Sequence, residues 1–510
     1  MARFSFLTQR GEQLTVGTET WNYAVCATAT QRFRRSQTME AKRLLTRRDF
    51  IAGLAGTAVG ASFSCSGSVR RSHSRRDRPN IVLLLTDQQQ RTAMSAAGNP
   101  ALHTPAMDSV ARRGVLFSRS FCATPQCSPS RASIVTGRYP HSAGVITNIG
   151  AIGSRNLDTR LPSLGRVFHD AGFETAYFGK WHLGNKPTNH GFEHFDRCER
   201  GVGELVANAT VNFVKQPHDR PFVLFASFIN PHDIYQFENI QNRIPLGRRK
   251  IVLPPSRHDD LSTKPACQAF YRDNDQGVAA RDFGDREWQN YLEVYYYLTE
   301  KVDGRIGQIL DALGARGLER ETIVLFSSDH GDLGGAHDLP FKGPCMYREL
   351  VEVPLAICWP GVIREGQMRN ELVSNVDLLP TLCDLAGISA PDGIQGRSLR
   401  PLLEGQTAGQ WREFVVAEYH SKQRWANPIR MLQTKHWKYV RYRRWGEELY
   451  DLERDPAELE NLAHKLPASG EIRQIRDRLA AQLDTWMRET NDDFNNLEPT
   501  DRKGRPLVEG

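Results

Sequence analysis

A cysteine opens the stretch Cys127-Ser-Pro-Ser-Arg-Ala-Ser-Ile-Val-Thr-Gly137, and a second one, Cys122, stands closely upstream. Three chemistries are open to Cys127: half of a small disulfide loop, a metal ligand, or the atom that attacks a substrate. The residues after it bear on the choice. Ser128 suits a helix cap, Pro129 the first turn, Ile134 and Val135 an apolar face, and Gly137 a helix end. Cys127 is therefore expected just before a helix N-terminus, where free backbone N–H groups and the positive end of the dipole favour an anion. Arg131, one turn on, adds a guanidinium. Such surroundings lower a thiol's pKa and describe an oxyanion pocket.

Further candidate groups stand where apolar runs stop. Asn80-Ile-Val-Leu-Leu-Leu-Thr86 stops at Asp87, Pro221-Phe-Val-Leu-Phe-Ala-Ser-Phe-Ile229 at Asn230-Pro-His232, and Thr322-Ile-Val-Leu-Phe-Ser-Ser328 at Asp329-His330-Gly-Asp332. Unbroken runs rich in branched residues are expected of strands buried on both faces. Helical patterns separate them, at Ser163–His169 and at Val294, Leu298, Val302, Ile306, Leu310 and Leu313. The alternation predicts an α/β fold with a large, mostly parallel or mixed central sheet flanked by helices. In such sheets ligands bind beyond the carboxyl ends of the strands. Asp87, His232, Asp329 and His330 are thus expected along one edge. A polar strand end taken alone is more often a cap or a turn; three on one edge favour a site.

Composition narrows the classes. The 510 residues are 40% hydrophobic and 25% charged, enough for a large globular domain and a smaller one. The net charge of +7 is uneven: residues 1–79 carry 14 Lys+Arg against 5 Asp+Glu, leaving 52 against 54 elsewhere. A neutral body argues against nucleic acid as a partner. Nine cysteines without a C-x-x-C pair argue against a structural zinc site.

The basic leader has its own order. Thr46-Arg-Arg-Asp-Phe-Ile51 followed by Ala52–Ala61 resembles a twin-arginine export signal, with Met39 as a conventional start. The apolar run is too short for a stable membrane span. The expectation is a periplasmic protein whose partners include the twin-arginine machinery, with Cys65 as an alternative lipid acceptor. Residues 1–78 then form leader and linker, 79–405 a catalytic domain, and 406–510 a C-terminal subdomain. In that subdomain Phe414–Tyr419, Arg430–Gln433, Trp437–Tyr442 and Glu448–Tyr450 read as an antiparallel sheet, and Ile472, Ile475, Leu479, Leu483 and Trp486 as one helix. Residues 235–291 lack a regular period and read as an insertion over the site or a passive surface loop. His190, His194, His337, Asp338, His420, Arg424 and Trp425 suit either pocket lining or ordinary loops.

Cys127-Ser-Pro-Ser-Arg131 with Thr136-Gly137 resembles the sulfatase signature, and Phe178-Gly-Lys-Trp-His-Leu-Gly184 resembles that family's second motif. Asp87, Ser328–Asp332 and Lys342-Gly343 follow in family order. The likeness runs on through Val376–Leu382 and Glu448–Pro456 to Asn461-Leu-Ala463, and covers residues 78 to about 490. The chain thus resembles the formylglycine-dependent, arylsulfatase-like sulfatases of the alkaline-phosphatase-like superfamily.

That resemblance carries a mechanism. It implies that a maturation enzyme oxidises Cys127 to formylglycine, whose hydrate supplies the nucleophile. One hydroxyl attacks sulfur and expels the alcohol; loss of the other hydroxyl proton ejects sulfate and restores the aldehyde. Asp87, Gln88, Cys127, Asp329 and His330 match the metal-binding positions, with Ca2+ as the family's usual ion and Mg2+ or Mn2+ as alternatives. Gln88 replaces the commoner second aspartate and removes one negative charge. Arg131 would orient the hydrate, Lys180 bind sulfate oxygens, His182 take the elimination proton, and His232 or Lys342 assist the departing oxygen. The implied substrate is a sulfated small molecule or polysaccharide. A phosphate or phosphonate ester hydrolase, and a non-catalytic binder of sulfated glycans with Cys127 as a thiol, are the alternatives.

Overall fold

The computed structural model describes residues 78–151, 153–198, 203–406 and 411–506. The twin-arginine motif, Met39 and Cys65 lie outside them. An eight-stranded sheet forms the centre, in the spatial order His194–Asp196, Glu174–Gly179, Phe222–Pro231, Asn80–Asp87, Thr322–Ser328, Leu355–Cys358, Val115–Phe117, Gln367–Arg369. Leu355–Cys358 runs antiparallel to both neighbours, and the other pairings are parallel. This is the expected mixed α/β sheet.

Alternate residues of the three central strands serve two cores. Ile81, Leu83, Leu85, Val223, Phe225, Ile323 and Leu325 join one cluster, with Ile134, Val135 and Leu164 from the helices on that side. Val82, Leu84, Leu224, Ala226, Val324 and Phe326 join the other, with Val302, Ile306 and Ile309 of the long helix Asp285–Ala315. That helix begins well before the Val294–Leu313 pattern, and its first turns bring Trp288, Tyr291 and Tyr295 into a third apolar cluster.

Register then delivers the polar residues. Thr86 pairs with Ser328, so Asp87 and Asp329 leave adjacent parallel strands at the same level. Glu174–Gly179 pairs with Phe222–Pro231 up to Gly179 and Ser227. Gly179 has φ +104°, and a Cβ on it would meet the Ser227 carbonyl at 2.0 Å. Only glycine permits that approach, and it sets Lys180 directly beside the strand ends.

Beyond residue 411 a four-stranded antiparallel sheet forms, Phe414–Lys422, Trp425–Thr434, Trp437–Tyr442 and Gly446–Asp451. One face packs Val416, Leu432, Tyr439 and Leu449 on Leu479, Leu483 and Trp486 of the helix Glu471–Thr490. The other packs Tyr419, Ile429, Met431 and Tyr442 on Phe121, Tyr271 and Leu339, close to the edge where the polar residues gather.

Candidate active site

The helix carrying Cys127 spans Cys127–Thr136 and is buried throughout, with Gln126 as its N-cap. It starts two residues earlier than a Ser128 cap implies, and Ser128 spends its hydroxyl elsewhere, accepting from the Ile149 amide at 3.1 Å. Cys127 is therefore the first helical residue, still within reach of the dipole. Cys122 and Cys127 are separate thiols, and the Cys122 Sγ faces the Leu350 carbonyl at 3.6 Å. A small disulfide loop is not formed.

Around the Cys127 sulfur stand Lys342 Nζ at 3.0 Å, His330 Nε2 at 3.3 Å, and Lys180 Nζ and Asp87 Oδ1 each at 3.7 Å. His182 and His232 also contact it by hydrogen bonds. All ten residues singled out as catalytic or metal-binding gather here. Arg131, only 2% exposed, ties them together. Its Nη2 donates to Asp87 at 2.8 Å, its Nε to Asp329 at 2.9 Å, and its Nη1 to the Lys180 carbonyl and Ser227 Oγ at 2.7 Å each. Lys180 Nζ reaches the same Asp87 oxygen at 2.7 Å.

The donor set suits a cation. Oxygen or nitrogen atoms of Asp87, Asp329 and His330 and the Cys127 sulfur lie within 4.8 Å of one another. His330 Nδ1 stands 2.9 Å from the Gly331 carbonyl, which turns Nε2 inward, where its lone pair would be free for a metal once a bound cation displaced the proton. Gln88 gives Nε2 to Asp332 at 2.7 Å and so turns Oε1 inward. Lys342 places its ammonium 2.9 Å from that Oε1 and 3.0 Å from His330 Nε2, so both atoms face a positive charge. The residues present therefore fit a metal ion.

Gln88 holds an unusual backbone, φ +69°, pinned by neighbours. Its amide donates to Asp329 Oδ1 at 3.1 Å, and Tyr295 donates to its carbonyl at 2.7 Å. Tyr291 donates to Asp332 at 3.0 Å. These supporting residues were not assigned a role from sequence. Tyr291 and Tyr295 stand four apart on the long helix, a spacing that would have placed both hydroxyls on one face.

Charge follows geometry. Burial raises the Cys127 thiol, but Lys180, Lys342 and His330 outweigh it and hold the thiol well below its ordinary range. Burial and Cys127 push Asp87 up; Lys180, His232 and Arg131 together bring it below the usual carboxylate range. Burial and then Asp87 push Asp329 up. Burial lifts Asp332 to about 6 against the hydrogen bonds it accepts. Burial, with Lys180 next, lowers His232.

The remaining candidates lie apart from this cluster. His190 packs on Trp181 at 5.3 Å, and His194 pairs with Glu174 at 2.9 Å. His337 pairs with Asp259 at 2.7 Å, and Asp338 with Arg257 at 2.7 Å. Trp425 packs on Phe270 at 5.0 Å, and the Arg424 carbonyl accepts from Thr500 at 2.7 Å. His420 lines a separate cavity of about 290 Å³ with His141, Arg155 and Arg430. Residues 235–291 do reach the site: Tyr235 stacks on Phe341 at 4.1 Å and lies 5.0 Å from His232.

Residues 79–388 match the Sulfatase family model, and residues 335–488 match the model described as N-sulphoglucosamine sulphohydrolase, C-terminal. A Delta 4,5-hexuronate-2-O-sulfatase of Bacteroides thetaiotaomicron is 30% identical, over 83% of this chain and 92% of its own. An ulvan-active sulfatase of Formosa agariphila is 29% identical, over 85% and 86%. The solved structure of a 2-O GAG sulfatase superposes with a TM-score of 0.74 at 30% identity, covering 85% of this chain and 97% of that one.

Proposed function

The chain belongs to the sulfatase family and is a sulfuric ester hydrolase, and we propose that it removes sulfate from a sulfated carbohydrate with a formylglycine made from Cys127. The observation that carries this reading is the Cys127 sulfur at a buried helix N-terminus, with Lys342 at 3.0 Å and His330 at 3.3 Å. A carbohydrate substrate draws support from the sugar-directed names of the relatives.

In the mature protein the sulfur position would be taken by the oxygens of a hydrated aldehyde. One hydroxyl attacks the ester sulfur as its proton passes to the Asp87 carboxylate, 3.7 Å from the Cys127 sulfur position; a new S–O bond forms and the bond to the sugar oxygen breaks. That sugar oxygen takes a proton from His232 or Lys342. His182 then removes the proton of the second hydroxyl, the C=O bond re-forms, the C–O bond to the sulfate breaks, and sulfate leaves with that bond's electron pair. Water rehydrates the aldehyde. Lys180 and Lys342 balance the sulfate charge in a water-poor pocket. Arg131 fixes Asp87 and Asp329, so the pocket stays shaped while charge moves. Asp87, Gln88, Asp329 and His330 would hold the divalent ion, Ca2+ or alternatively Mg2+ or Mn2+. That ion would act as a Lewis acid on the oxygens around sulfur. Export through the twin-arginine route and oxidation by a maturation enzyme belong to the same proposal.

The test combines two measurements on protein produced with its maturation enzyme. Peptide mass spectrometry across Cys127 is expected to find the aldehyde, and matched sulfate and phosphate esters are expected to be turned over in favour of sulfate. Preference for the phosphate or phosphonate ester would move the chain to that branch. An unmodified thiol with no turnover but firm glycan binding would leave a binder.

A further inference from the structure

Lys422 ends the strand Phe414–Lys422 and donates from Nζ to the backbone carbonyl of Lys342. Lys342 in turn reaches the Cys127 sulfur, so the Lys422 ammonium lies one lysine side chain from the nucleophile position. It sits 4.8 Å from the centroid of the Tyr271 ring. That carbonyl takes one of its three donors, and no described carboxylate pairs with it. Asp275, the acid that most influences it, is committed to Arg502 at 3.1 Å and to the Gln276 amide at 2.7 Å. An ammonium in this position without a counter-charge is costly to retain.

A second unsatisfied group stands nearby. The register of the strand shifts between Tyr419 and Ser421, a bulge that re-aims the residues after it. Tyr419 is 2% exposed, and its hydroxyl has no hydrogen-bond partner. Tyr419 and Lys422 share Asp275 and Cys345 as electrostatic neighbours, and Tyr419 also feels Tyr235. Tyr235 stacks on Phe341 and lies 5.9 Å from the Lys342 ammonium. An unpaired cation and an unpaired hydroxyl thus occupy the corner that adjoins Lys342.

We propose that Lys422 receives a second anionic group of the substrate, a carboxylate or a sulfate on the same sugar as the ester that faces Cys127. The inference rests on the sulfatase reading and narrows its substrate class. A charge-assisted hydrogen bond from Lys422 would complete an ammonium that the protein leaves unpaired. Burial, opposed by Asp275 and aided by Lys342, lowers Lys422 to about 7, with Cys345 and Asp332 opposing more weakly. A bound anion would favour the charged form.

The experiment compares two ester pairs on the full chain: a 2-O-sulfated hexuronic acid with its methyl ester, and a hexose disulfate with the monosulfate. The first pair tests a carboxylate and the second a sulfate. The wild type is expected to prefer the doubly charged member of at least one pair. In Lys422→Met the ratio of kcat/KM within that pair should fall roughly tenfold to a hundredfold, mainly through KM. Lys422→Arg should recover much of the ratio. Because each comparison is internal to one variant, a general loss of folded protein cancels. Turnover of both members with a ratio unmoved by Lys422→Met would overturn the inference alone. No turnover of any sulfate ester would overturn the reading beneath it as well.

Discussion

Gln88 and Asp332 meet at 2.7 Å inside the protein, amide nitrogen to carboxylate oxygen. A carboxylate only accepts, so this bond decides which end of the Gln88 amide points at the donor cluster. Asp332→Leu removes the acceptor and frees Gln88 to rotate. If the cluster holds a divalent ion, its affinity should weaken by about 10–100-fold. Calorimetric titration of chelator-treated protein with Ca2+, and then with Mg2+ and Mn2+, measures it. Asp332→Asn keeps one acceptor and should lose less. Equal affinity in wild type and Asp332→Leu would refute the orienting role.

Arg131 spans two carboxylates, Asp87 and Asp329, that are both 0% exposed. Removing it leaves two buried acids facing each other, with only Lys180 and His232 to offset Asp87. Breaking a buried, hydrogen-bonded pair costs about 3–5 kcal/mol, so Arg131→Met should unfold at markedly lower urea. A divalent ion added to this variant should restore part of the loss, because it would supply positive charge to the same acids. A urea midpoint like that of the wild type would show that other groups carry the pair.

Cys127 has a different standing. Its sulfur stands 3.7 Å from Asp87 Oδ1, and it is not tied to Cys122. Cys127→Ala should abolish sulfate ester turnover while changing stability by no more than about 1–2 kcal/mol. Activity assays and thermal melts on the same preparation separate the two effects. Retained turnover would rule out position 127 as the source of the nucleophile.

The three central strands were legible because each is an unbroken apolar run that ends in a polar group. Parallel pairing of equal registers is what turns three separate run ends into one site. The ten residues of the cluster were named from sequence by motif, since nothing local ties Lys342 to Cys127. Their supports were harder to see. Tyr291 and Tyr295 act only because the long helix begins at Asp285, about two and a half turns before its apolar period becomes regular. Ser128 reads as a cap, yet tertiary structure gives its hydroxyl to Ile149 instead. Lys422 carried no signal at all: one lysine after a bulge, placed by the pairing of a distant sheet.

His141 offers a handle on stability away from the active site. Its Nδ1 lies 2.5 Å from Glu418 Oε1, its Nε2 3.0 Å from the Thr490 carbonyl, and its side chain is 8% exposed. Glu418 at Nδ1 and the Thr490 carbonyl at Nε2 both favour the imidazolium, and the Ser142 hydroxyl, 2.9 Å from Nε2, can accept there as well. Burial opposes that charge, but Glu418, followed by Asp492 and the Thr490 carbonyl, raises the pKa above 6.5. Arg430, paired with Asp492 at 2.6 Å and lying 3.9 Å from Glu418, shares these acids without displacing the histidine. The folded state thus holds the proton more tightly than the unfolded chain. Its contribution is complete below about pH 6.5 and disappears as pH rises through the folded value. The melting temperature of the wild type should therefore fall relative to that of His141→Gln as pH is raised above 6.5. Plotting the difference between the two proteins cancels acids such as Asp332, which both share. A difference that stays level from pH 6 to 9 would mean that the Glu418 contact does not hold a proton on His141.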